Sequence, residues 1–344
     1  GWDGIREQRL VRMRELGIVD KGVNAADRLY FLPRSTTLVP AARVMQGRKM
    51  ELYAAMIEYM DDQIGRVFDY LKEIGEYDNT VVIFISDNGA EGNDLRAMVA
   101  GQPGTMGYLH AMNNFAENSH NSIGRPGTYA EYGAAWAQVS MTPFRIYKGW
   151  TAEGGIRPPL IVSGPGVKGS GELNKDDVLH VKDIVPTVLE LAGVEHPSSF
   201  KGREVAPVQG KSWVGMLEGE TQSPRGPNDW LGWELFGNRA IRQGDWKISS
   251  LFQPMGTGDW QLYNLSKDPG EQNDLSDKYP DKKEELIAFW DEYDKTNGVI
   301  IGNRSPFERA KKALPDPVPE FDNYPPLRGI EAVPYEKLLE LMNK

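Results

Sequence analysis

Residues 80–92 read T-V-V-I-F-I-S-D-N-G-A-E-G, a short apolar run that ends in an acid, an amide and a glycine. Residues 81–85 are apolar without alternation and mostly β-branched or aromatic, which predicts a strand buried on both faces of a mainly parallel sheet. Ligand sites in such sheets lie beyond the carboxyl ends of the strands, where Asp87 and Asn88 stand. Because Gly89 permits a tight bend, both side chains can turn toward one point. A carboxylate and an amide carbonyl are ligands suited to a hard divalent cation.

The same Asp-Asn-Gly sequence has a simpler interpretation, because these residues are also common in turns that follow a strand. Taken alone, the tripeptide favours a turn over a metal site. From these three residues alone, both the turn and the metal site stay open. Motifs elsewhere in the chain are needed to distinguish them.

The composition is that of a globular protein with many loops. Of the 344 residues, 40% are hydrophobic and 26% charged, with 37 Gly and 23 Pro, and the length predicts one large and one smaller domain. Lys and Arg number 39 against 49 Asp and Glu, and the net charge of −10 argues against nucleic acid or an anionic membrane as a partner. No apolar run approaches the ~18 residues of a membrane span, so we expect a soluble protein.

Cysteine is absent from the chain, which excludes disulfides, thiolate metal sites and a cysteine nucleophile within these residues. The first residues are charged and contain no signal-peptide core. Neither observation fixes the compartment in which the protein works.

A long amphipathic helix is predicted before the opening stretch, because apolar residues recur at steps of three and four between Leu52 and Ile74. Gly75 is its predicted end. The Met and aromatic side chains on its apolar stripe, such as Met56 and Tyr59, are predicted to be core.

Two further elements are predicted after the opening stretch. Residues 160–162 form a short apolar run closed by Gly-Pro-Gly, which indicates a second buried strand. Residues 183–192 indicate a helix with Asp183 as its N-cap and Gly193 as its end. Lys148 lies on the loop before the second strand, and alone it is typical of a solvated lysine.

Residues 93–142 lose this periodicity, and long irregular segments are uncommon in compact domains unless they cover a site. We expect this segment to lie over the opening loop. Two of the four histidines, His110 and His120, fall within it. An isolated histidine in a polar loop is more often a surface or packing residue than a catalytic one, so neither is assigned a role.

The C-terminal part changes pattern. Short strands rich in Trp, Tyr and Ile alternate with Gly-containing turns over residues 230–265, and this pattern indicates an antiparallel meander. A helix is predicted after it, at 280–297. We therefore predict a large α/β domain at 1–225, a smaller sheet-and-helix subdomain at 226–313, and an extended Pro-rich tail at 314–344.

Several motifs, taken in order, resemble the sulfatases, specifically the bacterial arylsulfatases of the alkaline-phosphatase-like superfamily. Two of them are Asp87-Asn88-Gly89 and the K-G-W-T-A-E-G-G segment that begins at Lys148. The others are Y-A-A-M-I-E-Y-M-D-D-Q-I-G-R-V at 53–67, I-G-R-P-G-T-Y at 123–129, D-I-V-P-T-V-L-E-L-A-G at 183–193 and W-E-L-F-G-N-R-A-I-R-Q-G-D-W-K at 233–247.

The resemblance implies an α/β fold with an alkaline-phosphatase-like mixed sheet flanked by helices, incomplete in this chain. It also implies a smaller C-terminal antiparallel sheet packed with a helix. A soluble protein of the bacterial cytoplasm or periplasm is expected, and the compartment itself stays open.

The resemblance also implies a chemistry, the hydrolysis of a small-molecule sulfate ester. Asp87 and Asn88 match two ligands of the family's cation, which is usually Ca²⁺ and less often Mg²⁺, and Lys148 matches the lysine that contacts the sulfate oxygens. A cation and a lysine together neutralise sulfate oxygens as charge shifts in the transition state. The family nucleophile is a formylglycine made from the Cys or Ser of a C/S-x-P-x-R motif, and its hydrated form attacks sulfur.

The chain departs from the family pattern at the nucleophile. No C/S-x-P-x-R motif occurs in the chain, and the upstream aspartates, lysine and histidines of the family are also without a match. We expect these groups in a missing N-terminal half of the same enzyme, upstream of Gly1. His110 and His120 match no family motif. The chain alone is expected to be inactive, and poorly soluble or partly unfolded.

Two alternatives remain open beside the arylsulfatase interpretation. A phosphomonoester or phosphonate hydrolase of the same superfamily would use the same cation and lysine. An inactive anion-binding fragment, or pseudoenzyme, would explain the absent nucleophile.

Overall fold

The structure is a computed structural model that describes residues 1–92, 120–126, 128, 130–169, 171–175, 177–220 and 223–301. The helices are α1 (Trp2–Glu15), α2 (Pro40–Glu73), α3 (Gly133–Ser140), α4 (Glu153–Ile156), α5 (Ile184–Leu191), α6 (Val214–Leu217) and α7 (Pro280–Asn297). The strands are β1 (Val82–Ile85), β2 (Leu160–Ser163), β3 (Ser199–Phe200), β4 (Arg203–Glu204), β5 (Trp230–Leu235), β6 (Asn238–Gln243), β7 (Trp246–Ser250) and β8 (Gln261–Asn264). The predicted tail at 314–344 lies outside the described residues.

Helix α2 confirms the predicted long helix and carries its apolar stripe on an uncovered face. It begins with Pro40 in its first turn and ends before Gly75, whose φ of +75° only glycine adopts readily. Met56 and Tyr59 are 68% and 67% exposed, so the prediction that they are core is wrong for the described part of the chain. The helical period is right, but no described element packs over these side chains.

Strands β1 and β2 form a two-stranded antiparallel sheet in which Phe84 pairs with Ile161. The predicted strand is confirmed, whereas its predicted parallel pairing is wrong for the one partner that the described residues supply. All four residues of β1 are half-buried, and Ile161 is 60% exposed, so the faces of this sheet are not fully covered. A continuous apolar run shows that a strand forms, but it does not specify the direction of its partner.

The C-terminal sheet is a four-stranded antiparallel meander in the order β5-β6-β7-β8. Its strands and α7 confirm the predicted antiparallel sheet packed with a helix, because inward side chains of the strands pack against one face of α7. This core consists of Ile241, Ile248, Leu262, Leu286 and Trp290. Together with the helices and the β1–β2 sheet, it confirms the predicted α/β class with a smaller antiparallel sheet.

A second core surrounds the segment between α3 and β2. Most of its members come from α3, from the loop that follows, and from the residues after β7; they include Ala137, Met141, Ile146, Tyr147, Trp150, Ala152, Leu251 and Met255. Trp2 of α1 meets Trp136 of α3 edge to face, with 5.8 Å between ring centroids. The loop that carries Lys148 is therefore packed between α3 and the C-terminal sheet.

Asp183 occupies the predicted N-cap position of α5, but its carboxylate does not cap that helix. It is fully buried and accepts hydrogen bonds from the backbone N–H groups of His180, at 2.8 Å, and Lys211, at 2.9 Å. The guanidinium of Arg225 lies 2.6 Å from it. These donors pull the side chain away from α5, so it joins three segments instead.

Within the described ranges, no helix combines the length and apolar character needed to cross a membrane.

Candidate functional site

The loop after β1 presents the predicted metal ligands at the surface. Asp87 is exposed and Asn88 half-buried, and the amide Nδ2 of Asn88 donates a hydrogen bond to Asp87 Oδ1. The hydroxyl of Ser86 donates to the backbone oxygen of Asn88 at 3.0 Å, which closes the turn. The two oxygen-bearing side chains therefore lie together, as the bend at Gly89 predicts.

Gly89 fixes this loop against the segment that contains Gly154 and Gly155. Its N–H donates to the backbone oxygen of Gly155 at 2.9 Å. A Cβ at Gly89 would lie 1.8 Å from the backbone oxygen of Gly154, a distance that no side chain tolerates. Glycine is therefore required here because two backbones approach closely.

Lys148 joins the same loop through its backbone and its side chain. Its N–H donates to the oxygen of Ala90 at 3.0 Å, and its Nζ lies 3.0 Å from Glu91 Oε2. The side chains of Lys148 and Glu91 are 43% and 42% exposed. The structure thus brings the loop of Asp87 and Asn88 next to the predicted sulfate-contacting lysine.

The donor set fits a hard cation in type, and it is short in number. Asp87 and Asn88 offer oxygen atoms, whereas Ca²⁺ takes 6–8 oxygen ligands. Across the described ranges, no group of three or more His, Cys, Asp or Glu side chains is placed to bind a metal ion. Further ligands for a bound Ca²⁺ would have to come from outside the described residues or from water.

The histidines add nothing to the described site. His120 lies in a turn, with its Nδ1 3.3 Å from the Oδ1 of Asn121, and His110 lies outside the described residues. Neither histidine is assigned a catalytic role.

Two neighbours of Lys148, Glu91 and Tyr147, were not predicted from the sequence. Glu91 belongs to the opening stretch, and the only signal for it was its place between the loop glycines. Tyr147 packs beneath the loop, where a Cβ at Gly92 would lie 2.9 Å from its ring. Burial, and then the charge of Glu91, raise the pKa of Tyr147 to about 12, so its phenol stays protonated.

A buried charge cluster, made of Glu153, Lys247 and Glu271, was also missed. Lys247 Nζ lies 2.8 Å from Glu153 Oε1 and 3.0 Å from Glu271 Oε1, and all three side chains are buried. A lysine on a strand is ordinarily taken to face solvent. Its only signal was its position on β7 between Trp246 and Ile248, which places it on the opposite face of the sheet.

Two family profiles match the chain. One described as Sulfatase matches residues 16–194, and one described as N-sulphoglucosamine sulphohydrolase, C-terminal, matches residues 145–292. An uncharacterised sulfatase of Schizosaccharomyces pombe is 40% identical over 304 residues, covering 87% of this chain and 53% of that protein. The arylsulfatase of Klebsiella aerogenes is 31% identical over 229 residues, covering 65% of this chain and 47% of that enzyme.

Among solved structures, that of Ps i-CgsB in complex with k-i-k-neocarrahexaose has a TM-score of 0.52 at 19% identity. It matches 93% of this chain and 60% of that one, and at this identity the likeness shows the fold alone. The chain spans about half the length of the two relatives named above. The resemblance and the fold predicted from the motifs are confirmed. Because the Sulfatase profile covers more than half of the sequence, the chain belongs to the sulfatase family.

Proposed function

We propose that this chain is part of a sulfuric ester hydrolase of the arylsulfatase type, which converts a small-molecule sulfate ester and water to an alcohol or phenol and inorganic sulfate. The observation that carries the proposal is the junction of two loops. Gly89 N–H donates to Gly155 O at 2.9 Å, and Lys148 N–H donates to Ala90 O at 3.0 Å. A sulfate group bound by Lys148 would therefore lie beside the loop that carries Asp87.

In this proposal, Asp87 and Asn88 supply two ligands of a divalent cation. Ca²⁺ is favoured over Mg²⁺ because Ca²⁺ accepts larger and less regular sets of carboxylate and carbonyl oxygens. When bound, the cation supplies charge neutralisation at the sulfate oxygens. The Lys148 ammonium contacts the sulfate through hydrogen bonds that its three N–H groups can donate.

The nucleophile is proposed to lie on polypeptide outside these residues. The chain has no C/S-x-P-x-R motif, and it spans about half the length of its relatives. The uncovered apolar side chains of α2 and of α5, where Val185 is 51% exposed, support a further layer of protein over these helices. We propose that this layer also supplies the formylglycine, the remaining metal ligands and the general acid and base.

The central test is Lys148→Ala in the longest polypeptide that the source produces, with 4-nitrophenyl sulfate as substrate. Loss of one charge-stabilising donor is expected to lower kcat/KM by about 10²–10³-fold. Lys267→Ala, at an exposed lysine after β8, is the matched control and should leave kcat/KM unchanged. Unchanged kinetics in Lys148→Ala would remove the assignment.

Two further measurements separate the alternatives. Faster turnover of 4-nitrophenyl phosphate than of the sulfate would favour the phosphomonoester hydrolase. An intact mass equal to the 38.5 kDa of this chain, with sulfate binding and no turnover, would favour an anion-binding pseudoenzyme.

The cation assignment has its own test, which does not depend on activity. Ca²⁺ should raise the thermal unfolding midpoint of the same polypeptide, because a ligand that binds only the folded state stabilises it. Asp87→Asn should abolish that rise, whereas Asp78→Asn, at an exposed aspartate before β1, should retain it. A full Ca²⁺ response in Asp87→Asn would show that the ion binds elsewhere.

A further inference from the structure

The buried charge cluster ties the C-terminal sheet to the loop that carries Lys148. Lys247, on β7, has no exposed side-chain surface, and its ammonium donates hydrogen bonds to Thr151 O and Glu153 Oε1, each at 2.8 Å. Glu271 Oε1 lies 3.0 Å from the same ammonium. Lysine is almost never fully buried unless it is paired, so this arrangement needs all of its partners.

The two carboxylates of the cluster have different surroundings. Burial alone would raise the pKa of Glu153, but Lys247, Arg242 and Arg157 hold it at about 2. Burial raises the pKa of Glu271, and Lys247 opposes that rise. Glu271 Oε2 also accepts a hydrogen bond from the N–H of Glu153 at 2.7 Å. Glu153 is therefore held from both its backbone and its side chain.

The loop around Lys148 is attached to the C-terminal sheet at both of its ends. At the start, the Arg145 guanidinium donates to Met255 O and lies 3.5 Å from Tyr263 OH on β8. At the end, Lys247 binds Thr151 and Glu153. Between them the loop folds back on itself, because Gly154 N–H donates to Arg145 O at 3.0 Å.

The attached loop is also the one that binds the turn after β1. Gly155 follows Glu153 by two positions and accepts the hydrogen bond from Gly89, while Lys148 donates to Ala90. A displacement of Glu153 would therefore move the loop of Asp87 through the hydrogen bond between Gly89 and Gly155. It would move Lys148 through the segment that the hydrogen bond between Gly154 and Arg145 folds back.

We propose that Lys247 is a positioning residue for Lys148. Through Thr151 and Glu153, the C-terminal antiparallel sheet sets where the ammonium of Lys148 stands relative to the loop of Asp87 and Asn88. This inference depends on the sulfate-binding role proposed above for Lys148.

The test is Lys247→Met in the longest polypeptide that the source produces, with amide hydrogen exchange and kinetics on 4-nitrophenyl sulfate measured side by side. We expect exchange at the N–H groups of Gly89 and Lys148 to increase by a larger factor than exchange at the amides of α7, which reports the general loss of stability. Because a displacement of about 1 Å can cost roughly 100-fold, we expect a loss of kcat/KM of that order, with a raised KM. Lys267→Met is the control and should change neither measurement.

A second variant keeps the test decisive if Lys247→Met does not fold. The double variant Lys247→Met with Glu271→Gln removes one positive and one negative charge together, and it leaves Arg157 and Arg242 beside Glu153. The same selective change in exchange and in KM is expected. Uniformly faster exchange that includes α7, or a lowered kcat with an unchanged KM, would show that the cluster only stabilises the fold and would overturn the proposal.

Failure of this inference can be told apart from failure of the sulfatase assignment. If Lys148→Ala leaves kcat/KM unchanged, the role of Lys148 is wrong and the positioning role falls with it. If Lys148→Ala abolishes turnover while Lys247→Met leaves KM and the Gly89 and Lys148 exchange rates unchanged, only the positioning role is wrong.

Discussion

Lys148 Nζ lies 3.0 Å from Glu91 Oε2, so an acidic side chain of the turn after β1 is paired with the lysine proposed to bind sulfate. The carboxylate of Glu91 is an anion, as the sulfate group is, and both would bind the same ammonium. If Lys148 binds sulfate as proposed, Glu91 would compete with the sulfate group for its ammonium.

The first prediction is that Glu91→Gln strengthens anion binding. Exposed ion pairs contribute about 0.2–1 kcal/mol, so the inhibition constant of inorganic sulfate should fall by about 1.4- to fivefold. It is measured by competition against 4-nitrophenyl sulfate in the full-length enzyme. Glu284→Gln, at an exposed position of α7, is the control and should not change the constant. A weaker affinity in Glu91→Gln would show that Glu91 orients the lysine rather than competing for it.

The second prediction concerns two glycines with opposite surroundings. A Cβ at Gly89 would lie 1.8 Å from Gly154 O, so Gly89→Ala forces the two loops apart and should cost at least the roughly 1–3 kcal/mol of an overpacked core. Gly65, inside α2, has no atom within 4 Å of its added Cβ, and Gly65→Ala should stabilise by about 0.5–1 kcal/mol. Denaturant unfolding measures both changes. Equal changes in the free energy of unfolding would mean that the close approach is absent in solution.

The third prediction is a loss of stability in mild acid caused by His180. Burial, and then the nearby Lys182, lower the pKa of His180 to about 4 from an ordinary value of 6.5, while Asp183 opposes them. The unfolded chain therefore takes up a proton near pH 6.5 that the folded chain accepts only near pH 4. The contribution of His180 to stability is complete above pH 6.5 and is lost as the pH falls through that window.

Unfolding midpoints at pH 7 and pH 5 test this. The Nδ1 of His180 accepts the Lys182 N–H at 3.1 Å, and the side-chain oxygen of Asn can replace that acceptor, so His180→Asn should lose less stability between the two pH values. His196→Asn, at an exposed histidine, should behave as the wild type does. A wild-type pH response in His180→Asn would place the titrating group elsewhere.

The fourth prediction separates the two buried carboxylates. Glu153→Gln removes an anion that three cations face, and breaking a buried pair in this way should cost about 3–5 kcal/mol. Glu271→Gln keeps an acceptor for the Glu153 N–H, and since burial already raises the pKa of Glu271, it should cost less than half as much. Urea unfolding at pH 7 measures both.

The Glu153 variant also has a pH signature. With a folded pKa of about 2 against an ordinary 4.5, the contribution of Glu153 is present above pH 4.5 and is lost toward pH 2, so Glu153→Gln and wild type should converge in acid. Equal costs for the two variants at pH 7 would contradict the asymmetry.

Much of the local structure follows from sequence pattern. The period of three and four residues predicts α2, and the alternation of short Trp-rich runs with Gly turns predicts the meander and α7. Pattern alone does not show what covers a face, which is why the predicted burial of Met56 is wrong and why the sequence does not predict the antiparallel partner of β1. Those outcomes depend on elements far away in the chain.

The candidate site divides in the same way. Asp87, Asn88 and Lys148 can be selected from motifs, because each motif is local. The pairing of Lys148 with Glu91 depends on two loops meeting at Gly89 and Gly154, and the burial of Lys247 depends on the sheet packing against that junction. Sequence period reports which face of a strand a side chain occupies, and it does not report what lies opposite.

The charge cluster joins Glu153, which precedes the predicted domain boundary at residue 225, to Lys247 and Glu271, which follow it. A chimeric sulfatase that took its C-terminal sheet from another member of the family would inherit a foreign partner for Glu153. Exchange between homologues should therefore succeed only when all three positions come from one parent. In this chain, the unit to exchange as a whole is the C-terminal sheet together with the loop that carries Lys148 and Glu153.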